Sequence, residues 1–203
     1  MKKMFFPLIG LMVMLFSTTA DAQTTIDDIR KAYQEQKQII AQMNDDFPSE
    51  GYPPVFYHLH VSQNLPGTGM HHENVYMYYG ELPSEDEFDP YPPHYLSFAT
   101  TKYNFAAREF YEEYLFDKQG NVIFVYARTP DFEFPKMHEF RLYFDGQRLL
   151  RLNVKESERQ DSFKDVYTGK TIPEQYAEFC SQYTHRANHI LEMFNTIDAG
   201  TSK

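Results

Sequence analysis

The stretch that decides the fold is Tyr114-Leu115-Phe116-Asp117-Lys118-Gln119-Gly120-Asn121-Val122-Ile123-Phe124-Val125. Two runs of aromatic and aliphatic residues flank a polar segment ending in glycine, the composition of two strands joined by a tight reversal. A three-residue loop, Lys118-Gln119-Gly120 with Gly120 left-handed, pairs Phe116 with Val122, Tyr114 with Phe124 and Phe110 with Arg128. The other face then carries Leu115 with Ile123, Tyr111 with Ala127 and Glu113 with Val125. Both faces are largely apolar, so the hairpin belongs in the middle of a sheet or under cover on both sides.

A second hairpin follows at Leu142-Tyr143-Phe144-Asp145-Gly146. A two-residue turn would pair Phe140 with Arg151. A three-residue loop ending at Gly146 pairs Phe140 with Leu150 and gathers Phe140, Leu142, Leu150 and Leu152 on one face, with Glu139, Arg141, Arg151 and Asn153 on the other. The second register is preferred, because a one-residue slip mixes the faces. The shared aromatic-Phe-Asp pattern, with glycine and then aliphatic residues, resembles the hairpins of MORN-like sheets and of secreted bacterial proteins. The resemblance covers only these two hairpins, implies a β-meander and carries no active site with it.

Working outward, strands are expected at Val55–Gln63, Glu73–Gly80, Tyr95–Thr100, Arg108–Asp117, Val122–Arg128, His138–Phe144 and Arg148–Lys155. Helices bracket them. Thr25 caps a first helix with apolar Ile26, Ile29, Tyr33, Ile40 and Met43, ending near Asn44. Thr171-Ile172-Pro173-Glu174 reads as a capping box for a second helix. Its stripe runs Tyr176, Phe179, Cys180, Tyr183, Ala187, Ile190, Leu191, Phe194 and Ile197. The expected fold is α+β: a single twisted antiparallel meander of six to seven strands, flanked by an N-terminal and a long C-terminal helix on one face.

The chain has 203 residues, 18 Phe, 16 Tyr, no Trp and one cysteine, with a formal charge of −10. So much aromatic area argues against disorder, and a lone cysteine excludes an intramolecular disulfide. Cys180, among Tyr176, Phe179 and Tyr183 with no cation beside it in sequence, reads as a core residue rather than a reactive thiol. The acidic balance argues against nucleic acid and anionic membranes as partners. Lys2 and Lys3, the apolar run Met4 to Phe16 and the small-x-small motif Ala20-Asp21-Ala22 read as a secretory signal peptide over residues 1–22. Residues 23–203 then form a single domain, periplasmic or extracellular and without a membrane span. No cysteine stands near the cleavage point to carry a lipid anchor.

Chemistry-bearing residues are sparse in pattern. His58 and His60, two apart on a strand, share a face and with a carboxylate would make a three-ligand metal site; His71-His72-Glu73 lies nearby. There is no HExxH, no GxSxG and no phosphate loop, and no cofactor is expected. His185 and His189 lack the glutamate of a metalloprotease. Glu112 and Glu113 point to opposite faces, and Glu112 is placed beside Tyr126 and near Tyr114, more simply as an exposed residue than as a general acid. The segment Glu81–Pro93 crowds five carboxylates and four prolines into a stiff loop, with Phe88 and Tyr91 as candidate anchors for a partner.

The first functional expectation is therefore an exported, non-catalytic module. It would bind a protein, peptide or glycan through an open Tyr-rich sheet face, with Tyr114 and Tyr126, or through the 81–93 loop with Phe88 and Tyr91. The alternatives are a metal-dependent hydrolase using His58 and His60 with a carboxylate, and a structural or assembly protein of the cell envelope, forming a weak homo-oligomer.

Overall fold

The computed structural model describes residues 24–46, 55–84, 89, 92–158 and 162–201. The leader expected over residues 1–22, and Phe88 and Tyr91, lie outside the described residues. Helix α1 spans Ile26–Asp46. Eight strands follow: β1 (Phe56–Leu65), β2 (Gly69–Glu81), β3 (His94–Phe105), β4 (Arg108–Phe116), β5 (Val122–Pro130), β6 (Met137–Asp145), β7 (Arg148–Ser157) and β8 (Lys164–Gly169). Helix α2, Glu174–Thr201, closes the order. Each strand pairs with the next in one antiparallel meander, β1 to β8. No helix among the described residues is long and apolar enough to cross a membrane.

The fold is thus α+β, an antiparallel meander bracketed by two helices. One strand more than expected is present. β8, Lys-Asp-Val-Tyr-Thr-Gly, has an exposed Val166 and packs only Tyr167 on the core, so it forms chiefly by edge pairing with β7.

The helices divide between the two faces of the sheet, which corrects the expectation that both lie on one. Strand alternation explains the division. On β4, Tyr114 and Phe116 join a core with Val75, Met77, Val125, Phe140, Leu142, Leu152 and the α2 stripe Tyr176, Cys180, Tyr183, Ala187, Ile190 and Phe194. Leu115 points the other way, into a second core of Phe98, Phe124, Tyr143 and Ile29, with Tyr33 and Ile40 of α1 alongside. The central hairpin is covered on both sides, as its two apolar faces imply.

Bulges set the registers. Gly120 is left-handed (φ +84) and Phe116 opposes Val122. The register then shifts past Ile123, so that Leu115 opposes Phe124, Tyr114 opposes Val125 and Glu113 opposes Tyr126. In the second hairpin the loop is Gly146-Gln147, with Asp145 opposite Arg148 and Gly146 at φ +56. A bulge at Leu150 follows, after which Leu142 opposes Leu152 and Phe140 opposes Val154. Leu150 consequently packs on the α1 side, not with Phe140 and Leu152. One extra residue in one strand changes the facing of everything beyond it, and the sequence carries no glycine at either bulge to announce it.

At α1, Thr25 and Asp28 cap reciprocally. The Asp28 N–H donates to Thr25 Oγ1 (3.2 Å) and the Thr25 N–H to Asp28 Oδ2 (3.1 Å). Ahead of α2, the Tyr167 hydroxyl donates to the Thr171 carbonyl at 2.8 Å.

Candidate ligand-binding site

On the α1 face, side chains directly across the strands form rows. Phe98, Leu115, Phe124 and Tyr143 make an apolar row, which α1 covers. The next row is Thr100, Glu113, Tyr126, Arg141 and Asn153. The row beyond is Lys102, Tyr111, Arg128, Glu139 and Lys155. The face therefore changes from hydrocarbon to charge and aromatic hydroxyl within two residues of strand.

Glu113 marks the boundary. Its side chain is almost fully buried and accepts from the Tyr33 hydroxyl, from Lys37 Nζ (2.7 Å) and from the Tyr111 hydroxyl (2.6 Å). Burial, reinforced by the adjacent Glu113 carboxylate, pushes the Tyr33 and Tyr111 phenols well above their ordinary range. Tyr126 is raised likewise by burial and by Glu139, to which its hydroxyl donates at 3.1 Å. The rings of Tyr111 and Tyr126 meet edge-on, 6.4 Å between centroids.

Two cavities flank this tyrosine pair. One, about 380 Å³, lies between α1 and the sheet and is lined by Arg30, Tyr33, Phe124, Tyr126, Arg141 and Tyr143. Arg141 stands over the Tyr126 ring and Arg30 over the Tyr143 ring, at 5.6 and 5.7 Å. Asp27 pairs Arg30 at 3.1 Å and Glu139 pairs Arg141 at 2.9 Å. The other cavity, about 540 Å³ and open to solvent, is lined by Lys102, Arg108, Glu109, Tyr111, Arg128 and Met137, among others. There Lys102 pairs with Glu109 at 3.3 Å, and Arg108 donates to the Phe132 carbonyl at 2.9 Å.

Arg128 differs from the other cations. Its guanidinium stacks on Phe163 at 5.2 Å, and its Nε is buried with no hydrogen-bond partner among the described residues. Such a donor is costly to leave unmet. Asn153 Oδ1, on the neighbouring row, is likewise buried and unpartnered. Guanidinium forks beside aromatic walls suit carboxylate, phosphate or sulfonate groups attached to an apolar body.

The sequence-derived candidates scatter. Tyr126 lies in this site. Tyr114 does not: it is fully buried under α2, its hydroxyl donating to Glu112, so it is a core residue rather than part of an open face. Glu112 opposes Ala127, not Tyr126, and is buried rather than exposed. It accepts from the Tyr103 hydroxyl (2.8 Å), the Tyr114 hydroxyl and Arg186 Nε (2.8 Å). Arg186 also donates to Glu73. With its acceptors engaged, this cluster fastens α2 to the sheet.

His58 and His60 do share a face, 3.1 and 3.0 Å from the same Asn74 Oδ1, with His58 stacked on Tyr76. His60 continues through Ser62 to His72. An amide occupies the place a carboxylate ligand would need, and the described residues hold no group of three or more His, Cys, Asp or Glu able to grip a metal. His71 faces away, its Nδ1 against the Asn104 carbonyl. His185 and His189 are exposed and in edge contact on α2. In the acidic loop, the Ser84 hydroxyl donates to Asp89 at 2.9 Å.

Arg128, Arg141, Lys102 and Arg108 were not read as functional in the sequence. For Arg128 and Arg141 the available signal was their alternation with Tyr126 along β5 and with Glu139 along β6, which puts both cations and the tyrosine on one face. Comparison with known protein families, curated proteins and solved structures finds no match to this chain.

Proposed function

We propose that the protein is an exported, non-catalytic binding module for an anionic ligand with an apolar or aromatic body, held on the polar rows of the α1 face. One observation carries the reading. In a chain of net charge −10, five cations (Lys102, Arg108, Arg128, Arg30 and Arg141) line two cavities around the Tyr111–Tyr126 pair, with Glu109 the one carboxylate in the linings. Arg128, half-buried, meets the anionic group with the outer nitrogens of its guanidinium, and the tyrosine rings pack the ligand body. Export rests on the N-terminal charge, apolar run and small-x-small order.

The test is a fluorescence and calorimetric titration with anilinonaphthalene sulfonate, a rigid aromatic anion. Saturable binding that weakens with salt is expected. Arg128→Ala should weaken it by about 10- to 100-fold, the worth of a charge-assisted hydrogen bond. Absence of saturable binding, or equal affinity in Arg128→Ala, refutes the reading.

A further inference from the structure

Across residues 55–80, which contain β1 and nearly all of β2, Glu73 is the single formal charge in a chain that is 24% charged. Glu73 is consumed internally, by Arg186 and the Thr101 hydroxyl. β1, Phe-Tyr-His-Leu-His-Val-Ser-Gln-Asn-Leu, is ten residues long, has no proline, and pairs with β2 without a register shift. It is also an edge: no strand among the described residues lies on its outer side. The opposite edge is built differently. β8 has six residues, carries Lys164 and Asp165, and joins β7 through a bulge. Short length, charge and bulging are the devices that keep an edge from pairing with another chain. β8 has all three and β1 has none.

We infer that β1 is an interaction edge, and that its partner is a second copy of this chain, paired antiparallel across a two-fold axis near His60. The charge distribution selects that occupant. Two chains of −10 repel almost everywhere else, but over this hairpin they meet without a like-charge contact. The residue pattern is self-complementary under the two-fold. With His60 facing His60 of the partner subunit, Leu59 lies beside the partner's Val61 on the α2 face, and His58 lies beside the partner's Ser62 on the α1 face. Apolar residues meet apolar and neutral polar residues meet neutral polar. The two sheets then run on as one across the dimer.

Sedimentation velocity over a concentration series tests this on the chain lacking its leader. A reversible monomer–dimer equilibrium is expected. His60→Lys, at an exposed position, sets two ammonium groups against each other at the axis. It should lower the dimer association constant at least tenfold, with the far-ultraviolet dichroism of the folded monomer unchanged. Val166→Lys, on the β8 edge, should leave dimerisation intact. His60→Cys should cross-link to itself under mild oxidation, because opposed residues in an antiparallel pair have Cα atoms about 4.5–5.5 Å apart, within disulfide reach. A monomer at all concentrations overturns the proposal. So does a dimer indifferent to His60→Lys, a dimer lost in Val166→Lys, or a dimer in which His60→Cys forms no cross-link.

Discussion

Glu112 and Glu113 are consecutive residues of β4, both buried, and each grips a different helix from a different face of the sheet. Strand alternation sends Glu112 toward α2, where Arg186 meets it at 2.8 Å, and Glu113 toward α1, where Lys37 meets it at 2.7 Å. Tyrosine hydroxyls fill the remaining acceptor sites on both. Buried carboxylates are tolerable only when paired and hydrogen-bonded. Here the same two-residue device orients both helices on a sheet whose apolar surfaces alone would let them slide.

The two glutamates should therefore respond unequally to neutralisation. In Glu112→Gln the Arg186 guanidinium loses its buried counter-charge, a change that costs about 3–5 kcal/mol, toward the lower end because Glu73 remains. In Glu113→Gln the half-exposed Lys37 can turn to water, and the cost is about 1–3 kcal/mol. Urea unfolding measures both. Hydrogen exchange should show α1 amides deprotected in Glu113→Gln while α2 amides keep their protection. Equal global losses with no local change in α1 would contradict the division of labour.

The bulge at Leu150 makes a second forecast. Leu152 is fully buried in the α2-side core, whereas Leu150 is half-buried against the α1-side core. Leu152→Ala should cost about 2–5 kcal/mol, and Leu150→Ala about 1–2 kcal/mol, in proportion to the area it hides. Thermal or chemical unfolding of the two variants decides it. A larger loss at Leu150 would restore the unbulged register.

That register shows where sequence reading stopped. Glycine at 120 and 146, the α2 stripe and the alternation of Tyr114 with Leu115 are local signals, and they were enough for the meander and both helices. Bulges at Ile123 and Leu150 answer to sheet twist and to packing from both sides, which no local pattern records. The same limit hid the candidate site. Tyr114 and Tyr126 look equivalent along the chain. Only the placement of α2 over one and the edge of α1 beside the other separates a core phenol from a surface one. Arg128 draws its interest from an unmet donor, a property that exists only after folding.

The Asp131 turn, which joins β5 to β6, should be acid-sensitive. Burial alone would raise the Asp131 carboxyl, but the His138 ring at 3.0 Å and the N–H groups of Phe134 and Glu133 outweigh it and hold the group at about 2. A folded-state value below the unfolded one contributes stability that is present above about pH 4 and drains away as pH falls toward 2. Nuclear magnetic resonance should show residues 131–136 losing their turn in that window ahead of the sheet. Asp131→Asn should show the loosened turn already at neutral pH. A turn that keeps its shape down to pH 2 would deny the carboxylate its role.

Cys180 should be chemically silent. Only 1% of it is exposed, and burial pushes its thiol up to about 11. Reaction with a disulfide reagent needs the thiolate and an approach path, and the folded chain offers little of either. At mildly alkaline pH the native protein should release no colour with Ellman's reagent on the timescale of minutes. One thiol per chain should appear as denaturant unfolds it, following the far-ultraviolet dichroism. Rapid labelling of the folded protein would place Cys180 at the surface and α2 elsewhere.

The phenols set the alkaline limit of the fold. Burial raises Tyr114 and Tyr183 well above their ordinary range, with the neighbouring Glu112 adding to it, and Tyr33, Tyr103, Tyr111 and Tyr126 shift the same way. In the unfolded chain each would ionise near pH 10. Above that pH the folded state holds more protons than the unfolded one, so stability must fall as pH rises, with a slope that steepens with the number of phenols involved. Tyrosinate absorbance from this set should therefore appear only above pH 10, in one cooperative step that coincides with loss of the sheet signal. Tyr183→Phe, which removes one ionisable group and one hydroxyl contact with Thr129, should shrink that step by one phenol. Ionisation of this set near pH 10 in an intact fold would mean that these hydroxyls are not buried.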